Sequence, residues 1–185
     1  MTNNAIEKLV KTITYKGVGF EVVERPDVIW VGCIDYAENN SDESDTDGTR
    51  NRYYTKLSDV VKKDLINPDY TAGLSINYAR DDKPCGMMVA QETYSGEQDD
   101  RYELFTAAAG LWLRVQVSEE SDNALFGRSN YGMWEYYAED DAPLHSAAKS
   151  NGYVQNPDVD IVFDYYTNSG DGPNYVYIPI RTENK

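Results

Sequence analysis

Asp164 is the charge most out of place in this sequence, interrupting the aromatic and aliphatic run Ile161-Val162-Phe163-Asp164-Tyr165-Tyr166. A lone carboxylate among strand-forming apolar residues is costly to bury, so it faces water, pairs with a base such as Arg114 or Arg181, or awaits a cation. The last option is a binding chemistry. Aromatic ring faces attract positive charge within about 6 Å, and Trp112, Tyr166 and Tyr175 are the rings best placed to supply them. Strand alternation puts Val162, Asp164 and Tyr166 on one face and Phe163 and Tyr165 on the other. A second grouping, Tyr131-Gly132-Met133-Trp134-Glu135-Tyr136-Tyr137, sets four aromatic rings around one acid. Glu135 is a solvated helix acid or, if it points inward, a second carboxylate capable of acid-base work. The candidate ligand-binding residues are therefore Asp164, Trp112, Glu135, Trp134, Tyr131, Tyr166 and Tyr175.

Other chemistries find less support. His145 is the single histidine, without a Cys or second His nearby to build a zinc site, and no G-x-S-x-G elbow marks a catalytic serine. The stretch Glu43-Ser44-Asp45-Thr46-Asp47-Gly48 mimics the start of a calcium loop, but its twelfth position is Tyr54 where a bidentate Glu is needed. The acidic segment from Glu38 to Asn51 thus reads as a solvated loop. There is no phosphate-binding loop or dinucleotide fingerprint, so neither a cofactor nor a metal is expected.

The balance of 32 acids against 17 bases, a net charge of −15, argues against direct contact with nucleic acid, which demands a basic face. The same field attracts cationic ligands, although solubility alone would also explain it. Sixteen tyrosines and three tryptophans suit either the surface of a β-protein or a pocket for flat organic molecules. The apolar runs are strand-length and the N-terminus has no apolar signal core, so no membrane span is expected. Cys33 and Cys85 both lie in apolar strand-like contexts and read as buried reduced thiols of a cytoplasmic protein, a disulfide between them being the alternative.

These residues must be positioned by a framework that repeats. Phe20 to Ile34 aligns without a gap onto Tyr102 to Gln116, matching Glu21 with Glu103 and Trp30 with Trp112, a period of roughly 80 residues. Trp30 and Trp112 read as core packing by default. Trp112 is the better pocket candidate because its half carries Asp164, whose counterpart is Asn77. Each half reads as strand, break, strand, helix, hairpin. The first helix is expected over residues 52–66, from the spacing of Leu57, Val60, Val61 and Leu65, and ends at Asn67-Pro68. The second is expected over residues 122–138, weakened by Gly127 and Gly132. Strands are expected over residues 71–79 and 85–94. Ile6, Leu9, Val10 and Ile13 suggest a short N-terminal helix, and the long connection 139–158 reads as a pocket wall or lid.

The order of these elements, the aromatic strand with its acid and the closing Val176-Tyr177-Ile178-Pro179-Ile180 strand resemble the gyrase-inhibitor-like (GyrI-like) family. This is the effector-binding domain also found behind helix-turn-helix modules in AraC-type and multidrug-responsive transcription regulators. The resemblance spans residues 18–181, with pseudo-repeats 18–95 and 100–181, an N-terminal extension 1–17 and a tail 182–185. It implies an α+β fold: a duplicated β-α-β-β unit with two antiparallel sheets and two main helices around a central cleft for hydrophobic, often cationic, small molecules. Asp164 matches the position of a Glu that supplies the buried charge in multidrug-binding members. With no DNA-binding module in the sequence, the expectation is a stand-alone, cytoplasmic binding protein. Alternatives are a hydrolase opening strained electrophilic compounds with a Trp and an acid, or an inhibitory module acting on a protein partner.

Overall fold

β-Branched and aromatic residues alternate with polar ones along much of the chain, and those stretches are extended. The computed structural model describes residues 6–37, 46–78, 83–129, 132–170 and 172–183. Among them lie the strands β1 (Lys8–Tyr15), β2 (Val18–Arg25), β3 (Val28–Tyr36), β4 (Tyr70–Ile76) and β5 (Gly86–Thr93). The later strands are β6 (Glu103–Ala107), β7 (Gly110–Val117), β8 (Tyr153–Gln155), β9 (Ile161–Thr167) and β10 (Asn174–Thr182). Three α-helices accompany them: α1 (Thr46–Asn51), α2 (Glu119–Phe126) and α3 (Pro143–Ser150). The fold class is α+β.

All pairings are antiparallel, in the order β1-β2-β7-β10-β9-β4-β5-β3-β6, with β8 added to the end of β10. The expected two sheets are therefore one, because β4 and β9 pair along their whole length and join the halves. That sheet folds over on itself. Arg25 of β2 and Trp30 of β3 stand six strand steps apart, roughly 29 Å on a flat sheet. Yet the Arg25 guanidinium carbon is 5.8 Å from the Trp30 ring centroid. The inner face is closed by aromatic contacts across the fold: Trp30 to Phe163 at 5.2 Å and Trp112 to Phe163 at 5.3 Å. Where the sequence suggested a central cleft, the inner face is packed.

The outer face has two apolar layers. Val22, Leu113, Val115, Val162, Val176 and Ile178 lie under α2, α3 and the 3-10 turn Met133–Tyr136. Val31, Cys33 and Val89 lie under Tyr53, Leu57 and Val60. The helices differ from those expected. In the first half, α1 and a π-turn (Arg52–Lys56) replace the helix over residues 52–66. The Tyr102 hydroxyl contacts the carbonyls of Leu57 and Val60 at 3.0 and 2.9 Å, the acceptors a continuing helix would use, and Val61 is left 78% exposed. In the second half, Ser118 and Ser121 form a capping box, and Gly127 at φ 73° ends α2, so the helix expected to reach residue 138 stops at Phe126. Within the expected lid 139–158, Pro143 starts α3 at its first turn and β8 follows, so that segment is packed structure.

The N-terminal helix is replaced by β1, an edge strand carrying Lys8 and Lys11. The β-branched run Val10-Lys11-Thr12-Ile13-Thr14 outweighs the helical spacing of its apolar residues, and a bulge at Leu9/Lys11 shifts the register. Asn77, aligned with Asp164 in sequence, lies beyond β4 in a left-handed turn (φ 55°), and the residue opposite Asp164 is Gly73. The acidic segment 38–45, holding the first three residues of the calcium-like motif, lies outside the described residues, while Thr46–Asn51 is helical rather than loop. Both cysteines are free; Cys33 is buried, whereas Cys85 is only partly so.

Candidate ligand-binding site

Strand alternation decides what the inner face contains. On β2 it turns Val23 and Arg25 inward, on β5 Met88, Ala90 and Glu92, on β7 Trp112 and Arg114, and on β10 Tyr175 and Tyr177. Arg25, 2% exposed, is the centre of this arrangement. Its guanidinium carbon stands 4.9 Å from the Phe163 ring centroid, 5.3 Å from Tyr177, 5.6 Å from Trp112 and 5.8 Å from Trp30. Two carboxylates balance it: Glu92, which pairs directly with a terminal guanidinium nitrogen, and Glu7, whose Oε1 is 3.0 Å from Nε. Glu92 also accepts from the Tyr165 hydroxyl at 2.9 Å and from Asn67 Nδ2 at 3.0 Å. Burial pushes the Glu7 carboxyl above its ordinary range despite the pull of Arg25 and Arg114. This is a cage in which rings and acids together replace water around a planar, delocalised cation.

Arg114 extends the network towards the surface. It donates to Glu7 at 2.5 Å, to Glu21 at 2.7 Å and to the Tyr177 hydroxyl at 3.0 Å, and its guanidinium carbon lies 4.8 Å from the Tyr175 ring centroid. A hollow of about 660 Å³ opens there, lined by Glu21, Arg114, Gln116, Pro173 and Tyr175 among others. Another hollow, of about 490 Å³, reaches Arg25 itself between Ile6, Lys8, Glu24, Pro26 and Gly110.

Asp164 and Tyr166 are on the opposite, outer face of β9. Burial pushes the Asp164 carboxyl up to about 7, opposed by the Arg50 charge and a hydrogen bond from Tyr137. Its buried Oδ1 has no partner among the described residues. The two arginines that could neutralise it are engaged elsewhere, Arg114 with Glu7 and Glu21, Arg181 with Asp158 at 3.9 Å. Tyr166 lines a separate hollow with Tyr53, Tyr54, Lys62 and Gln91.

The seven sequence candidates thus fall in different places. Trp112 and Tyr175 share the inner face; Asp164 and Tyr166 share the outer face of β9. Trp134, 56% exposed, and Glu135 line a fourth hollow of about 360 Å³ with Tyr15, Lys16, Phe126 and Pro143, and Glu135 faces Arg128 at 3.8 Å. Asp164 does not line that hollow. Tyr131 lies outside the described residues. His145 is half-buried, with Nε2 2.9 Å from the Tyr137 carbonyl. Sequence reasoning missed Arg25, Glu92 and Glu7, although Met88-Val89-Ala90-Gln91-Glu92-Thr93 carries the same signal as the Asp164 strand, a charge among strand-formers. Among the described residues no three His, Cys, Asp or Glu side chains converge on a metal position, and no helix is long and apolar enough to cross a membrane.

Together these features describe an α+β domain whose one large antiparallel sheet closes over an aromatic, charge-bearing interior. SAV2435, solved with tetraphenylphosphonium bound, shares the fold at a TM-score of 0.59 and 16% identity, over 88% of this chain and 93% of that one. A proposed bacterial transcription regulation protein from Staphylococcus aureus shares it at 0.54 and 16% identity, over 89% and 99%. At this identity the likeness is one of fold, and it agrees with the α+β class expected from the sequence. No family model matches the sequence, and no curated protein matches it.

Proposed function

We propose that this chain is a small-molecule-binding domain of the effector type, and that its ligand is a hydrophobic monocation taken up on the inner aromatic face. One observation carries the reading: the face already holds a delocalised cation, the Arg25 guanidinium, among four rings with Glu92 and Glu7 as counter-charges. A surface that stabilises one such cation has the chemistry to stabilise another. The tetraphenylphosphonium bound by SAV2435 on the same fold is a lipophilic cation of this kind. The pairing of β2 with β7 and of β6 with β3, together with the matched orders β7-β10-β9 and β3-β5-β4, supports reading the interior as the seam between two duplicated units.

Titration with tetraphenylphosphonium, followed by the fluorescence of Trp30 and Trp112, tests the proposal. Saturable quenching is expected, with no comparable response to neutral triphenylphosphine oxide. Absence of saturation, or equal affinity for the neutral compound, refutes it. A second reading keeps Asp164 as the anchor, with the ligand on the outer face beside Tyr137 and Tyr166; the partnerless Asp164 Oδ1 favours it. The Asp164→Asn variant separates the two: unchanged affinity places the ligand away from Asp164. The hydrolytic alternative would use a Trp and an acid together, and Trp134 and Glu135 line one hollow, without Asp164.

A further inference from the structure

The inner face contains its own competitor. Arg25 is the last residue of β2, immediately before Pro26, so its backbone sits at a strand end beside a break rather than in mid-ladder. Pro26 and Gly110, the residue opposite Arg25, both line the hollow that reaches it from outside. The guanidinium therefore has an exit that needs a side-chain rotation and not an opening of the sheet. Ile6 packs against the inner core and Glu7 is wedged between Arg25 and Arg114, so the residues just before β1 close the same end.

On the basis of the binding function proposed above, we infer that Arg25 is a tethered occupant of the cation subsite, and that a ligand binds by exchange, displacing the guanidinium into the hollow bounded by Ile6, Lys8, Glu24 and Pro26. The exchange swaps one monocation for another beside Glu92, so the buried acids are never left without a positive partner. It also fixes the chemistry of the subsite. The group that enters is a delocalised or soft monocation, because the rings and carboxylates already hold a planar one. Apparent affinity is reduced by the fraction of time the subsite is free, so an occupant in place nine-tenths of the time or more weakens ligand binding by about tenfold or more.

The experiment compares wild type with Arg25→Ala and Arg25→Lys in tetraphenylphosphonium titrations, and adds methylguanidinium as a mimic of the missing side chain. Arg25→Ala is expected to bind tetraphenylphosphonium about tenfold more tightly than wild type, with Arg25→Lys between the two, because an ammonium keeps the charge but loses the fork. Methylguanidinium at millimolar concentration is expected to raise the melting temperature of Arg25→Ala saturably, leave that of wild type unmoved, and compete with tetraphenylphosphonium. If Arg25→Ala is unfolded alone, recovery of its β-sheet circular dichroism on adding methylguanidinium is the expected result, and no recovery overturns the inference. Wild-type binding with no gain in either variant overturns the exchange while leaving the binding function standing. No binding of either cation by any of the three proteins overturns both.

Discussion

Replacing Asp164 by Asn should change how the stability of this protein depends on pH. Burial raises the Asp164 carboxyl from an ordinary value of 3.8 to about 7. A group whose pKa is raised on folding holds its proton more tightly in the folded state. Its contribution to stability is complete below about pH 4 and is lost as pH rises through about 7. A shift of roughly three units corresponds to a ceiling of roughly 4 kcal/mol. Asp164 is only partly buried and the Arg50 charge lies within reach, so about 2 kcal/mol is the working figure. Asn preserves shape and an acceptor for Tyr137 but does not titrate. Urea unfolding of wild type and Asp164→Asn at intervals from pH 4 to pH 8 should show the variant gaining about 2 kcal/mol relative to wild type across that range, most of it between pH 5 and 7. Parallel curves, or a gap that opens in the wild type's favour as pH rises, would refute the argument that this acid is buried without adequate compensation.

Two further substitutions probe the inner face and the sheet. Glu92→Gln leaves the buried Arg25 with Glu7 as its remaining carboxylate; a loss of about 3 kcal/mol, roughly 10 °C in melting temperature, is expected, together with loss of saturable tetraphenylphosphonium binding. A melting temperature within a degree or two of wild type contradicts the assigned pairing. Gly32→Ala would drive a methyl group into the Val89 carbonyl oxygen and to 2.7 Å from Ala90 Cα, backbone that cannot give way within the β3–β5 ladder. About 3 kcal/mol or more of destabilisation by denaturant unfolding is expected, and a neutral outcome would show that the two strands are not held this closely.

Much of the framework could be read from the sequence because strands announce themselves by alternation. The aromatic face of β9 divides as its period of two requires, with Phe163 and Tyr165 inward and Asp164 and Tyr166 outward. Helices were harder. The Leu57, Val60, Val61 spacing is helical, but the Tyr102 hydroxyl on the Leu57 and Val60 carbonyls comes from a residue remote in sequence, and no local window contains it. Gly127 could have ended α2 on sequence alone, since a glycine past an N-capped segment is the usual left-handed stop. The site failed for a topological reason. Asp164 stands out as a charge in an apolar strand, yet Arg25 and Glu92 satisfy the same criterion on β2 and β5, five strand steps apart in the sheet, and only the closure of the sheet makes them a pair.

The charge content of that closed face explains why selectivity should reside there and not in the acidic exterior. The net charge of −15 draws any cation towards the molecule, but at physiological salt such attraction fades within about 8 Å and does not distinguish one cation from another. Inside, Glu7, Glu21 and Glu92 face Arg25 and Arg114, three negative charges against two positive, a balance of −1. A monocation that replaces Arg25 preserves that balance. A neutral molecule of the same shape would leave Glu92 buried without its cation, at about 3–5 kcal/mol, or roughly two to four orders of magnitude in affinity. In the proposed exchange the discrimination would be set by Arg25: because the resident group is charged, only a charged guest would take its place without stranding the acids that hold it.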